Sequence, residues 1–357
     1  MPEYTVVPAH LQKDRQVILD LWRRNLASVH RLEEKYDWHF LNNPAGRGQI
    51  WILKVGGLPI GTAALGMRHI KLGDSLTLAA VACDLAVNNG HRFLQPALLL
   101  QRTLMSSACS AVRIIYGVPN PGGAAVLKYV GYRESCPVHR YAKVLRVSPY
   151  LRRSGKFGSI APYFGDLADR GFAALQSFGR PSFGRTAQVL PLFDERFDEL
   201  WRRSSSQLPA LLVRDRRFLN WRYRECPLSR YQTLGLLSED QSQLLGYLIY
   251  YVEDHAAIGV DLFVPGGAHH LDCLLSSWAA VAFRAGLASL SLTCSNDALA
   301  ADLARHNFTQ RSVPPQSKPD RTRRHEQCKT LFTHDRHPAA APAFADRWYY
   351  TEGDSPY

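Results

Sequence analysis

Two short stretches of this 357-residue chain open helices where chemistry could sit, and the first carries residue types suited to binding phosphate. The first starts at Asp84, Leu85, Ala86 and Val87 and runs through Arg92, Phe93, Leu94 and Gln95 to Pro96 and Ala97. Proline is harmless in the first turn of a helix, and Ala97 to Met105 supplies strong helix formers, so a helix begins here. Free N–H groups and a helix dipole at such a start attract anions, although an ordinary strand-to-helix turn uses the same residues. The second stretch, Asn120-Pro121-Gly122-Gly123, breaks a strand and opens another helix. Asn120 suits its N-cap. A third group, His325, Cys328, His334 and His337, offers four zinc-ligand side chains. Their spacing fits no common finger, and Lys329 to Thr333 between them reads as a strand, so no metal is expected.

These residues need strands and helices to hold them, and hydrophobic periodicity supplies a candidate set. Val17, Ile18, Leu21 and Trp22 give Gln12 to Leu26 one apolar helical face. Ile50 to Val55 and Ile60 to Met67 read as a hairpin across Gly56-Gly57. Leu76 to Val87 and Arg113 to Val118 are further strands, the helix after Asn120 closes at Gly131, and Tyr141 to Val147 is the expected closing strand.

Four landmarks then recur in the same order. Trp38, Phe40 and Pro44 match Trp221, Tyr223 and Pro227; Gly61 matches Gly246; Asp84-Leu85-Ala86-Val87 matches Asp261-Leu262-Phe263-Val264. Asn120 precedes Gly131-Tyr132 as Asn296 precedes Asn307-Phe308, and the four offsets are 183, 185, 177 and 176 residues. Such near-constant spacing predicts two copies of one α/β unit. The expected organisation is a first unit over 1–147, a Gly-, Ser-, Arg- and Pro-rich connector over 148–191, and a second unit over 192–357.

Composition bounds the partners. With 46% apolar and 21% charged residues the chain can bury two cores and is expected to be soluble. Forty-three Lys and Arg against 31 Asp and Glu leave +12, which favours anionic partners. The basic pairs are dispersed and no nucleic-acid-reading motif is present, so nucleic acid is not an expected partner. Seven cysteines without a C-x-x-C motif point away from a disulfide framework and towards the cytoplasm. No run reaches the ~18 apolar residues of a membrane span.

A strand ending in Asp84 to Val87, a loop, a helix, a strand, then Asn120 and a helix closing on Gly131-Tyr132 resembles the core of GCN5-related N-acetyltransferases (GNAT). The resemblance implies two tandem α/β units, each a mixed, mostly antiparallel sheet with splayed central strands flanked by helices. It implies acetyl-CoA or another acyl-CoA as co-substrate. Pantetheine would lie on Leu85, Ala86 and Val87 and pyrophosphate on the loop Arg92 to Ala97, where Arg92 and Ala97 fit the family's pattern and Gln95 replaces a glycine. It further implies direct attack by a small-molecule amine, with Asp84 as base unless it is only a loop tether. The usual acid, a tyrosine, falls at Leu127, which leaves Tyr129 and Tyr116 as candidates. Asn120 either contacts pantetheine or only caps its helix. The second unit, with Pro265-Gly266-Gly267 and no arginine in its loop, resembles a supporting half, with Trp348 to Asp354 as its last strand and the acceptor bound between units. Two alternatives stay open: an acyl carrier protein or aminoacyl-tRNA as donor, or a non-catalytic binding protein of the same fold.

Overall fold

The computed structural model describes residues 3–27, 30–148, 169, 171, 187–311, 329–336 and 347–357. The first half runs β1 (Tyr4–Pro8), α1 (Arg15–Asn25), α2 (Leu32–Tyr36), β2 (Gln49–Val55), β3 (Leu58–Leu72), β4 (Ser75–Val87), α3 (Leu94–Ser107), β5 (Val112–Gly117), α4 (Pro121–Tyr129) and β6 (Arg133–Val144). The second half runs β7 (Gln188–Val189), α5 (Glu195–Ser204), β8 (Ala210–Leu212), α6 (Arg216–Leu219), β9 (Gln232–Leu237), β10 (Leu244–Glu253), β11 (Ala256–Phe263), α7 (Ala268–Arg284), β12 (Ser289–Cys294), α8 (Asp297–Arg305), β13 (Thr309–Arg311) and β14 (Lys329–Asp335). Most of the expected connector lies outside the described residues.

The repeat is visible element by element. α2 runs into a π-helical turn, Asp37–Leu41, and α6 into another, Asn220–Arg224. These turns present Trp38 and Trp221 to each other. The rings stack with centroids 4.8 Å apart, and each indole N–H donates to the other residue's carbonyl, at 2.7 and 3.0 Å. A buried tryptophan thus has its apolar face and its one donor satisfied at once. Asn120 and Asn296 both cap helices, each accepting a backbone N–H at 2.8 Å. Gly131 and Asn307 close those helices at φ +94° and +61°, and Asn is among the few side chains that tolerate this region.

The described strands join one sheet in the order β1-β2-β3-β4-β5-β14-β6-β12-β11-β10-β9-β7, with β8 added to β3 and β13 to β6. All pairs are antiparallel except β4 with β5 and β11 with β12. In the first half, α1 packs Ile18, Leu19 and Trp22 on one face of the sheet, against Ile50, Ile52 and Ala64. α3 packs Leu100 and Leu104 on the other, against Leu53, Leu65 and Ile115. No helix among the described residues is long and apolar enough to cross a membrane.

Two strands lie where the sequence reading does not put them. β6 starts at Arg133 rather than near Tyr141, and its later part, His139 to Val144, pairs with β12 of the second half. The slot between β5 and β6 is filled instead by β14. Trp348 to Asp354, expected as the last strand of the second half, makes only single bridges at Trp348 and Thr351. There, Thr351 and Asp354 form a reciprocal capping box that winds the chain into a 3-10 turn.

Candidate functional site

β4 and β5 pair only from Leu78 to Val81, opposite Val112 to Tyr116, and separate beyond. Asp84 is the cause on the β4 side. It adopts φ +49° beside a register shift against β3, a bulge that bends the strand out of line. Gly61 accommodates the bent strand, since a Cβ there would lie 2.7 Å from the Ala86 carbonyl oxygen. A cavity of about 800 Å³ fills the gap and reaches the α1–α2 loop, Leu228 and Tyr357.

The N-termini of α3 and α4 both open on this cavity. No side chain caps the first N–H groups of α3, which leaves them for an anion. Leu85, Val87, Arg92, Phe93, Leu94, Ala97 and Asn120 line the cavity, as does Leu127. Ala86 packs under α1 on the opposite face, Gln95 is exposed, and Pro96 is buried in the first turn of α3. Arg92 is already engaged: Nε donates to the Val87 carbonyl at 2.7 Å and Nη2 to Asn25 Oδ1 at 3.2 Å, which fixes the loop to β4 and α1.

Asp84 sits at the cavity wall with its side chain enclosed. Oδ1 accepts from Lys35 Nζ at 2.7 Å and from the Tyr357 hydroxyl, while Oδ2 has no hydrogen-bond partner. The Lys35 ammonium also lies 3.7 Å from the centroid of the Tyr357 ring. Tyr357 is 39% exposed overall, but its hydroxyl end lies against Asp84, and enclosure there, then the Asp84 charge, pushes that hydroxyl's pKa well above the ordinary value. His39 packs edge-on against Tyr357. Burial, then Arg68, Lys35 and Arg222, hold its pKa well below the usual range. Gln101 of α3 is buried on the cavity wall with an unpartnered Oε1.

The two tyrosine candidates lie elsewhere. Tyr129 is 65% exposed, and Tyr116 is buried with its hydroxyl donating to the Asp354 carbonyl at 2.8 Å; neither lines the cavity. Sequence reading missed Lys35, Gln101 and Tyr357. The only signal for Gln101 was a polar residue inside the apolar run after Pro96. His325, Cys328 and His337 lie outside the described residues, and His334 packs against Tyr132.

The same gap in the second half is filled. β11 and β12 pair only over Ala256 to Gly259, and residues 348–354 wedge in beyond. Thr351 bridges to Cys294 on β12, and the Tyr349 hydroxyl donates to the Leu262 carbonyl on β11. Asp261, at the position repeating Asp84, is saturated by Arg214 Nε at 3.0 Å, the Tyr223 hydroxyl at 3.1 Å and the Thr351 hydroxyl at 3.3 Å. Arg214 reaches on to Asp354 at 2.9 Å, yet burial still pushes that carboxyl up to about 6.

No protein-family model matches the sequence, and no curated protein does. Solved structures do match in shape. A GCN5-related N-acetyltransferase from Anabaena variabilis superimposes with TM-score 0.64 at 12% identity, over 93% of this chain and 73% of its own. A tandem GNAT protein from the clavulanic acid biosynthesis pathway gives 0.56 at 16% identity, over 95% of this chain and 99% of its own. Saccharomyces cerevisiae N-myristoyltransferase with bound myristoyl-CoA gives 0.56 at 10%, over 93% and 84%. The chain therefore has the GNAT fold, as the resemblance of its first unit implied, and a tandem GNAT protein covers nearly its whole length.

Proposed function

We propose that the protein is an N-acyltransferase that takes an acyl group from acyl-coenzyme A in the first-half gap and passes it to a small-molecule amine. One observation carries this reading: the gap between β4 and β5 is open, flanked by two helix N-termini, and walled by a buried carboxylate with a free oxygen. Pantetheine fits the main chain of Leu85 to Val87, and the pyrophosphate fits the start of α3, with Arg92 ordering the loop. The amine enters where Lys35, Leu228 and Tyr357 meet. Its nitrogen attacks the thioester carbonyl carbon as Asp84 Oδ2 accepts its proton, and the carbon–sulfur bond breaks to release coenzyme A as the thiolate, which takes up a proton from water. Asp84 and the α3 start thus divide proton transfer from donor positioning. Leu127 offers no hydroxyl to the leaving sulfur, and among the described residues lining the cavity Tyr357 carries the one phenol. Solved proteins of this fold include N-acetyltransferases and an N-myristoyltransferase, which supports acyl transfer as the reaction class. An acyl carrier protein as donor is a second reading, favoured by the +12 charge.

The test is thermal stability with acetyl-, longer acyl- and free coenzyme A, followed by thiol release with ethanolamine, glucosamine and lysine as acceptors. Stabilisation by coenzyme A and thiol release that depends on the amine are expected. No stabilisation by any thioester or by free coenzyme A would remove the donor assignment.

A further inference from the structure

Three buried arginines converge on the segment that carries Tyr357. Arg68, Arg214 and Arg222 are 1–2% exposed. Arg214 Nη2 lies 2.9 Å from Asp354 Oδ1 and 3.2 Å from Thr351 Oγ1. Arg222 Nε donates to the Gly353 carbonyl at 3.0 Å, and Arg68 Nη2 to that of Pro356 at 3.3 Å. Enclosing a guanidinium strips it of water, a cost its partners must offset. Three around one short segment make that segment a fixed part of the molecule rather than a loose end. Its far end meets the cavity, where the Tyr357 hydroxyl rests on Asp84 and its ring covers the Lys35 ammonium.

We propose that Arg214 is a positioning residue for Asp84. It clamps the Thr351–Asp354 turn into the β11–β12 gap, and the clamped segment holds Tyr357 against Asp84 Oδ1 so that Oδ2 is the oxygen left for the acceptor. The inner anchor of the clamp is Asp261, which binds Arg214 at the position that in the first half faces the cavity. The second half therefore shapes the acceptor end of the first half's site through a segment threaded between them. The catalytic consequence rests on the acyl-transfer reading, whereas the clamp itself does not.

The experiment compares the full chain with Asp354→Asn, Arg214→Lys, Tyr357→Ala and the Asp354→Asn/Tyr357→Ala double variant. Amide hydrogen exchange of residues 347–357 should rise clearly in Asp354→Asn and Arg214→Lys. Affinity for coenzyme A should stay within about twofold, while thiol release from acetyl-coenzyme A with hydroxylamine as acceptor falls about ten- to a hundredfold in kcat. Because the clamp acts through Tyr357, the double variant should be no slower than Tyr357→Ala alone. Asp354→Asn leaves the Arg214–Asp261 contact intact and decides the matter if Arg214→Lys does not fold. Unchanged exchange in Asp354→Asn, or two effects that multiply in the double variant, would overturn the clamp. If the unaltered protein neither binds coenzyme A nor releases thiol, the acyl-transfer reading fails, and the exchange result alone decides for or against the clamp.

Discussion

At the scale of single residues, Asp84 and His39 make separable predictions. Asp84→Asn keeps the shape of the wall but removes the proposed proton acceptor, so kcat should fall by about 10²- to 10⁴-fold with coenzyme A affinity retained, measured by thiol release and calorimetry. His39 concerns stability instead. The unfolded chain takes up a proton on it near pH 6.5, whereas the folded protein, where burial holds its pKa well below that value, does not. Below about pH 6.5 the unfolded state therefore binds more protons, and this contribution, complete above that pH, is lost as the pH falls. His39→Gln should flatten the decline in unfolding free energy from urea titrations between pH 7 and 5, by up to about 1.4 kcal/mol per pH unit. An equally steep decline in the variant would refute it. Asp84 was legible in the sequence because a repeat marked it. Lys35 and Tyr357 were not, because each takes its meaning from a partner 49 or 273 positions away.

At the scale of elements, the two π-helical turns are the strongest prediction. Trp38 and Trp221 each supply a stacked ring and a donor to the other, so Trp221→Ala opens a cavity and strands the Trp38 carbonyl. It should cost about 3–5 kcal/mol in urea unfolding, far more than the same change at the exposed Tyr129. The aromatic–proline pattern behind these turns was readable, as were the two asparagine caps, because caps and proline stops are local chemistry. Strand partners were not readable. β6 and β14 have ordinary alternating sequences, and nothing local says that one will lie beside β12 and the other beside β5. The capping box at Thr351 likewise decided against a strand through a reciprocal bond between residues three apart.

At the scale of the whole molecule, the halves are alike in frame and differ at the gap: one is open and the other is packed with Trp348 to Asp354. Calorimetric titration with coenzyme A should therefore give one site per chain, and ligand at about a hundred times Kd should add about 2.7 kcal/mol of stability. Two equivalent sites would contradict the filled gap. The crossed strands have a consequence for biosynthesis. Gly117 of β5 waits for Phe332 of β14, so the first half cannot close its sheet until most of the chain has left the ribosome. Until then the edge of β5 stands unpaired, an invitation to adhere to other nascent chains, and pairings this distant form slowly. Cutting between the halves would give two fragments, each lacking a strand that only the other carries. They should stay incomplete apart and rebuild the sheet when mixed.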